Sequence, residues 1–425
     1  MRRTIRRWVG LGTSIASLLL FGSAHGQGAA EPGEQVAPVR LERLELVQNL
    51  AQLIQSNVRH FWAQPSILQK AYFAQVCDID GGNKTPLNQY TGWVTGDPDL
   101  EQFLPVMLGH GVEFLNIDFA QAGVAPFIYD FVRFVIVAKS ASGEIKTKSL
   151  VDAYVGGVEM GIRAPQASPR EVLFAGQSQK LINLPEALAH SLNSTPRWLY
   201  RGPKVMAADL DPKTGQLLAV DWLPVDAAMA QAIRQTMQES FPDWEIRDLR
   251  KKAVLAEGLG DQSSHEHFRI SLHRSRPAQA KIIEWKELAP STLVAYERAT
   301  LGHPVIEVLS ERYLVSFERF WQNRHKESDF ALVEVNGRTF FQQPREARLL
   351  PEISIGVTNE KTRQYIIDLA VTDAFYLGWL HGRQEVGRQY GEGLRVESAC
   401  LEREVNHFLD DYLKVLREDW ERQKP

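Results

Sequence analysis

Cysteine is scarce in this chain: 425 residues contain two, Cys77 and Cys400. No Cys-x-x-Cys pair exists, which removes zinc-ribbon and dithiol redox centres from consideration. There is no Walker-type glycine–lysine loop and no Gly-x-Ser-x-Gly elbow, so P-loop NTPase and serine-hydrolase readings have no support. Beyond the first few residues charge of one sign is not densely concentrated. The formal net charge is -4, and the absence of a dense basic stripe argues against nucleic acid or an anionic membrane as the main partner. No internal repeat is evident. What remains is ordinary globular composition, 44% hydrophobic and 24% charged, with length for about two or three domains or lobes.

The first 26 residues read as a secretory signal peptide. Arg2, Arg3, Arg6 and Arg7 form a basic start, Trp8 to Ala24 an apolar stretch, and Ala24-His25-Gly26 a small-x-small cleavage site. The apolar stretch is interrupted by Gly10, Gly12 and Ser14 and falls short of the roughly 20 residues of a spanning helix. A secreted or periplasmic location is therefore expected, with no stable membrane span after cleavage. Removing four arginines takes the formal charge from -4 to -8. Residues 27–38, rich in Gly, Ala, Pro and Glu, read as a linker. In an oxidising compartment Cys77 and Cys400 could form one disulfide between the first and last parts of the fold; two separate buried thiols are the alternative.

Periodicity then divides the chain into three. Val39–Trp62 has near-helical apolar spacing, Phe127–Ala138 reads as a buried helix and Leu150–Ile162 as another, with a strand at Val112–Ile117 between. Residues from about 163 to 240 read as an excursion with a hairpin at Asp211–Gly215 and a helix at Asp226–Ser240. From Asp248 to about 350 the pattern is β: strands are expected at Ala253–Leu255, Phe268–Leu272 and Lys281–Trp285, and Asn336-Gly337 joins a hairpin. Residues 351–425 return to helix, at Thr362–Arg388 and Val396–Arg422. The class is α+β rather than alternating βαβ.

Two acidic loops carry the chemistry. Gly96-Asp97-Pro98-Asp99 precedes one apolar strand, and Asn116-Ile117-Asp118-Phe119 ends the next. Metal-assisted phosphoryl transfer uses two such aspartates, one to orient a hydroxyl and one to hold the cation that bridges phosphates. Asp97 suits the first role and Asp118 the second, with the Gln102 amide oxygen as a further metal ligand. Gly258-Leu259-Gly260 forms a glycine turn whose amides can approach phosphate oxygens. Lys286, 26 residues after Gly260 at a strand end, can reach α/β-phosphates. Either Glu297 or Glu287 can pair with it. His265-Glu266-His267 places two histidines on one strand face, but no third ligand is near enough in sequence to assign a metal centre.

These pieces together resemble the uncharacterised bacterial family catalogued as domain of unknown function 2252, itself similar to aminoglycoside phosphotransferases and protein kinases. The family's Gly-Asp-Pro-His-Leu-Glu-Asn-Phe reads here Gly96 to Phe103 as GDPDLEQF. Its Asn-Asp-Phe-Asp strand end corresponds to Asn116–Phe119, its Gly-Pro-Phe to Ala125-Pro126-Phe127, and its Trp-Asp-Leu-Lys-Arg to Tyr129-Asp130-Phe131-Val132-Arg133. The later glycine and Lys-Glu-Ala elements fall at Gly258–Asp261 and Lys286-Glu287-Leu288. The resemblance implies a two-lobed kinase-like fold, with magnesium and ATP or another phosphate-bearing ligand as cofactors. Because the catalytic-like loop precedes the glycine turn, and the helix ending Gly378-Trp379-Leu380-His381 looks like the one that normally leads into that loop, the fold is expected to be circularly permuted. Lys286 lying more than one lobe away from Asp118 would refute that reading.

The chain departs from the family where chemistry is most exposed. Asp99 replaces the expected His, Gln102 the expected Asn, and Asp261 the Ser of the glycine turn, a like charge where phosphates would sit. Extracytoplasmic compartments also hold little ATP. A pseudokinase-like protein that binds a small molecule or a protein partner is therefore the preferred expectation. A metal-dependent phosphotransferase acting on a hydroxyl is the alternative.

Overall fold

The computed structural model describes residues 86–100, 102–108, 111–193, 214–218, 222–252, 266–275, 278–302, 305–321, 329–345, 360–394 and 398–423, together with 50, 53–54, 57–64, 67, 69, 72–73 and 210–211. The signal segment, the linker, the strand expected at 253–255 and the glycine turn with Gly258 and Gly260 lie outside the described residues. None of the described helices is long and apolar enough to cross a membrane.

The fold is α+β, with eleven helices and three antiparallel sheets among the described residues. Helix α1 (Val58–Trp62) precedes a small sheet in which β1 (Thr91–Val94) pairs with β4 (Gly123–Pro126). Between these strands, β2 (Phe103–Leu108) and β3 (Gly111–Asn116) form a hairpin with Phe103 opposite Asn116. The apolar run after β4 becomes α2 (Phe127–Ala141), buried along nearly its whole length. It is followed by α3 (Thr147–Arg163), α4 (Pro169–Ser178) and α5 (Glu186–Asn193). Ser168 starts α4 with a capping box: its hydroxyl accepts from the Glu171 amide while the Glu171 carboxylate accepts from the Ser168 amide. The stretch read as an excursion thus begins with two helices that bury Leu173, Leu188 and Leu192 in the main core.

The large sheet has the order β5-β6-β7-β8-β10-β9. Its strands are β5 (Trp222–Pro224), β6 (Glu245–Lys252), β7 (His267–Ser275), β8 (Ala278–Glu287), β9 (Ala331–Val335) and β10 (Arg338–Pro344). Helix α6 (Ala227–Ser240) buries Met229, Ile233 and Met237 against one sheet face, where Phe268, Ile270, Ile283 and Trp285 meet them. Side chains alternate along a strand, so Glu284 and Lys286 of β8 point to the other face. The Asn336-Gly337 turn takes positive φ at both residues, 52° and 78°, as a two-residue hairpin of this kind requires.

Helices α7 (Leu293–Thr300) and α8 (Leu309–Trp321) connect β8 to the β9–β10 hairpin. The C-terminal part comprises α9 (Glu360–Gly382), α10 (Gly387–Leu394) and α11 (Ser398–Gln423). The continuous helix expected through Arg388 stops at Gly382 and resumes at Gly387. Close approach dictates the glycines here: a Cβ on Gly387 would lie 2.0 Å from the Gly382 carbonyl oxygen, and one on Gly378 would lie 2.2 Å from that of Tyr154. Helix α9 therefore lies backbone to backbone against α3. One large apolar cluster joins the helices with β1 to β4, and a smaller one lies between α6 and the six-stranded sheet. Cys400 is disulfide-bonded; the chain's other cysteine, Cys77, is outside the described residues.

Candidate functional site

The site forms where the β2–β3 hairpin, the start of α2 and the end of β8 meet. Asp97 stands on the turn after β1, and Gly96 makes that turn possible. Gly96 takes φ +80, and a Cβ there would sit 2.1 Å from the Gln121 carbonyl oxygen. Its own carbonyl oxygen accepts from the Trp62 indole at 2.6 Å. The turn is held from below by Asp130, in the first turn of α2. One Asp130 oxygen accepts from the Gly96 amide at 2.8 Å and the other from the Thr95 amide at 3.1 Å; the Thr95 hydroxyl donates to both. His381 Nε2, on α9, lies 3.1 Å from Asp130 Oδ2, and its Nδ1 lies 2.8 Å from the Tyr154 hydroxyl, which touches Tyr390 at 2.9 Å. A chain of buried polar groups thus runs from α9 and α10 to the backbone of the Asp97 turn.

Asp97 itself is engaged. Arg133, one helical turn beyond Asp130, donates Nε at 3.1 Å and Nη2 at 2.8 Å, both to Oδ1, while its Nη1 donates to the Ile54 carbonyl at 2.9 Å. The Arg133 side chain is fully buried and that of Asp97 retains 9% exposure. Burial pushes the Asp97 carboxyl up; Arg133 opposes this, and the charges of Asp118 and Asp130 add to the rise. The two aspartates read from the acidic loops are therefore electrostatic neighbours. The charge of Asp99, at the other side of the turn, acts on Asp373 of α9.

Asp118 lies on the turn after β3. Its amide donates to Asn116 Oδ1 at 2.8 Å, and its Oδ1 accepts from the Ala120 amide at 2.9 Å. The other oxygen, Oδ2, receives Lys286 Nζ at 2.5 Å, with the two side chains 27% and 25% exposed. Lys286 and Asp118 thus touch across 168 residues of sequence, well inside the one-lobe separation beyond which the permuted reading fails. Phe119, the next residue, is fixed among Tyr313, Phe317, Phe320 and Trp321 of α8, stacked on Phe320 with ring centroids 5.5 Å apart. Ser291 Oγ donates to the Gln121 carbonyl at 2.9 Å, and the Gln121 side chain accepts from Thr292 at 2.8 Å, which ties this turn to the segment after β8.

Gln102 joins the hairpin base: its amide donates to the Asp99 carbonyl, and its own carbonyl accepts from Ile117 at 2.8 Å. Its Oε1 is buried with no hydrogen-bond partner. An acceptor so placed lacks a donor or a cation, which fits the ligand role expected of it. The two glutamates weighed as partners of Lys286 are committed elsewhere. Glu297 forms a buried two-pronged pair with Arg312, at 2.5 and 3.0 Å, and accepts from the Val124 amide at 2.6 Å. Glu287 binds Arg338.

Two residues that matter here carry no role in the sequence reading, Arg133 and Arg312. For Arg133 a signal exists: Asp130 and Arg133 interrupt the apolar run FIYDFVRFVIVA, and a charge inside a buried helix must find a partner. Arg312 sits in a helix that sequence inspection passed over. Comparison of the chain with protein-family models, with curated proteins and with solved structures gave no match.

Proposed function

We propose that this chain is an exported, kinase-like protein whose cleft, lined by Asp118, Lys286 and Gln102, binds a phosphate-bearing ligand with a divalent metal, and that it works by binding rather than by phosphoryl transfer. The observation that carries this is the Lys286–Asp118 ion pair. It is the electrostatic complement of a metal phosphate: Lys286 matches phosphate oxygens, and Asp118 with Gln102 Oε1 matches the cation. Being a quarter exposed, the pair opens at less expense than the buried pairs of the same region, for which removal of one partner costs about 3–5 kcal/mol. When bound, the metal would neutralise phosphate charge. The chain's own part is to hold Asp118 on a turn fixed by Phe119 and to present Lys286 from a central strand. Gly258 and Gly260 would supply backbone amides to the phosphates.

The case against turnover rests on Asp97. A residue that orients or deprotonates a hydroxyl must reach it, and Oδ1 of Asp97 is already taken by two Arg133 donors. The changes at Asp99, Gln102 and Asp261, and the scarcity of ATP outside the cytoplasm, point the same way. The engagement of Cys400 in a disulfide suits the export proposed from the N-terminal segment, since disulfides persist in oxidising compartments. The permuted kinase-like arrangement draws support from the reach of His381, at the end of α9, to the aspartate under the Asp97 turn.

A second reading, a metal-dependent phosphotransferase with Asp97 orienting the hydroxyl, is favoured by one observation: the charge of Asp118 raises Asp97, so the two carboxylates share a site. Thermal unfolding with ATP, other nucleotides or pyrophosphate, with and without magnesium or manganese, separates the possibilities, because a ligand that binds only the folded state raises the midpoint. The expected result is a metal-dependent rise, lost in Lys286→Met and in Asp118→Ala, without phosphate release. No rise at millimolar ligand removes the cleft as a phosphate site. Phosphate release that disappears in Asp97→Asn establishes the second reading.

A further inference from the structure

The six-stranded sheet presents two unlike faces. One packs its apolar side chains on α6. The other, which carries Lys286, is cationic in its middle. At one end of that face Leu210 and Leu217 cover Ile282, and on the β10 side Tyr313 and Phe317 cover Phe341. Between these apolar covers the register sets His267 opposite Lys286, Arg269 opposite Glu284 and Arg250 opposite Arg269. Arg345, just past β10, reaches the same spot: its Nε lies 3.8 Å from Glu284 Oε1, which accepts from Arg269 Nε at 2.8 Å. His267 Nε2 lies 4.0 Å from the other Glu284 oxygen. Two arginines thus gather at one carboxylate oxygen, and a third faces them across the ladder.

Like charges directly opposite on neighbouring strands destabilise a sheet. Asp248 offsets part of this by accepting from Arg250 Nε at 3.0 Å. Trp222 of β5 carries the Arg269 guanidinium 4.5 Å from its ring centroid, and a guanidinium stacked on an indole is held flat with its donors at the rim. The side chains of Arg250, Arg269 and Arg345 are 33%, 11% and 20% exposed, so an anion from solvent reaches them. We infer that these three arginines form a second anion subsite beside Lys286, and that the cleft takes a chain of phosphoryl groups, a di- or triphosphate, rather than a single one. Rows two residues apart along a strand lie about 7 Å from each other. Lys286 and the arginine row are therefore too far apart for one tetrahedral anion and suit consecutive ones. Planar guanidinium forks match phosphate oxygens two at a time. Glu284, at 1% exposure, lies deeper than the arginines and sets their direction. The inference rests on Lys286 meeting a phosphate, as proposed above.

The test is thermal unfolding at saturating magnesium with inorganic phosphate, pyrophosphate and tripolyphosphate in turn. The midpoint should respond to successively lower concentrations along the series, by about tenfold from phosphate to tripolyphosphate, the effect of an added charge-assisted hydrogen bond. That preference should shrink in the double variant R250Q/R345Q and persist in Arg274→Gln, a β7 arginine that strand alternation turns to the α6 face. Should the double variant fail to fold, Arg345→Gln alone must show the loss. A rise at the same concentration for all three anions would overturn the inference and leave the metal-phosphate reading standing. So would an unchanged preference in the double variant, or an equal loss in Arg274→Gln. No rise with any of the three would remove both.

Discussion

The two acidic loops are built from similar sequence and treated oppositely by the fold. The Asp97 turn is locked: Asp130 grips its backbone, Trp62 covers its carbonyl and Arg133 takes its carboxylate, all with little solvent contact. The Asp118 turn is held as firmly in its backbone, because Phe119 is anchored in α8, yet its carboxylate stays about a quarter exposed and meets a lysine from a different sheet. An aspartate whose partner is buried beside it serves the fold. One whose partner keeps a quarter of its surface in water, on another element, is available for exchange. That contrast, rather than the presence of two aspartates, carries the functional reading.

Removing the buried partner should have the largest effect. Arg133→Met leaves the Asp97 charge uncompensated, and loss of a buried partner costs about 3–5 kcal/mol; urea unfolding should show it. Adding Asp97→Asn should recover part of that loss. Next, Asp130→Asn removes an ionised acceptor from the Thr95 and Gly96 amides. Hydrogen bonds to charged groups are worth about 1.5–3 kcal/mol, so a loss of about 2 kcal/mol is expected, with faster amide exchange at Gly96. At the quarter-exposed pair, Lys286→Met should cost less stability than Arg133→Met while abolishing any metal-phosphate shift. A stability loss as large as that of Arg133→Met would erase the distinction between the loops.

The smallest effect concerns pH. His60 of α1 is buried against Asp419 of α11, 2.8 Å away. Burial lowers its pKa below 6.5, Asp419 opposes and Arg133 adds to the lowering. A histidine lowered in the folded state leaves the unfolded chain binding more protons, so its contribution is complete above pH 6.5 and is lost as pH falls through the folded value. His60→Gln should therefore lose less stability than the wild type on acidification below pH 6.5. Equal slopes in both proteins would show that His60 does not titrate against the fold.

The α+β class, the buried α2 and the β9–β10 hairpin were legible, because each follows from periodicity or a turn dipeptide; the partner of Lys286 was not, since sequence offered it Glu297 or Glu287 and the fold gives it Asp118. Residues whose meaning depends on a distant partner were not. Arg133 meets Asp97 36 residues away, and Glu297 was claimed by Arg312 rather than by the lysine nearest to it in the motif. Helix α8 was readable in principle, since Tyr313, Phe317 and Phe320 recur at helical spacing. Nothing in sequence shows that these rings enclose Phe119.

Helix α1 finds its aromatic cover at the other end of the chain: Phe61 packs against Phe408 and Tyr412, and His60 meets Asp419, all on α11. During synthesis α1 emerges first among the described helices and α11 last. Until the ribosome has released residues 398–423, Phe61 lacks these neighbours and the main core stays unsealed on that side. Closure of the core on that side is thereby delayed until residues 398–423 have been made, however early α1 itself has formed.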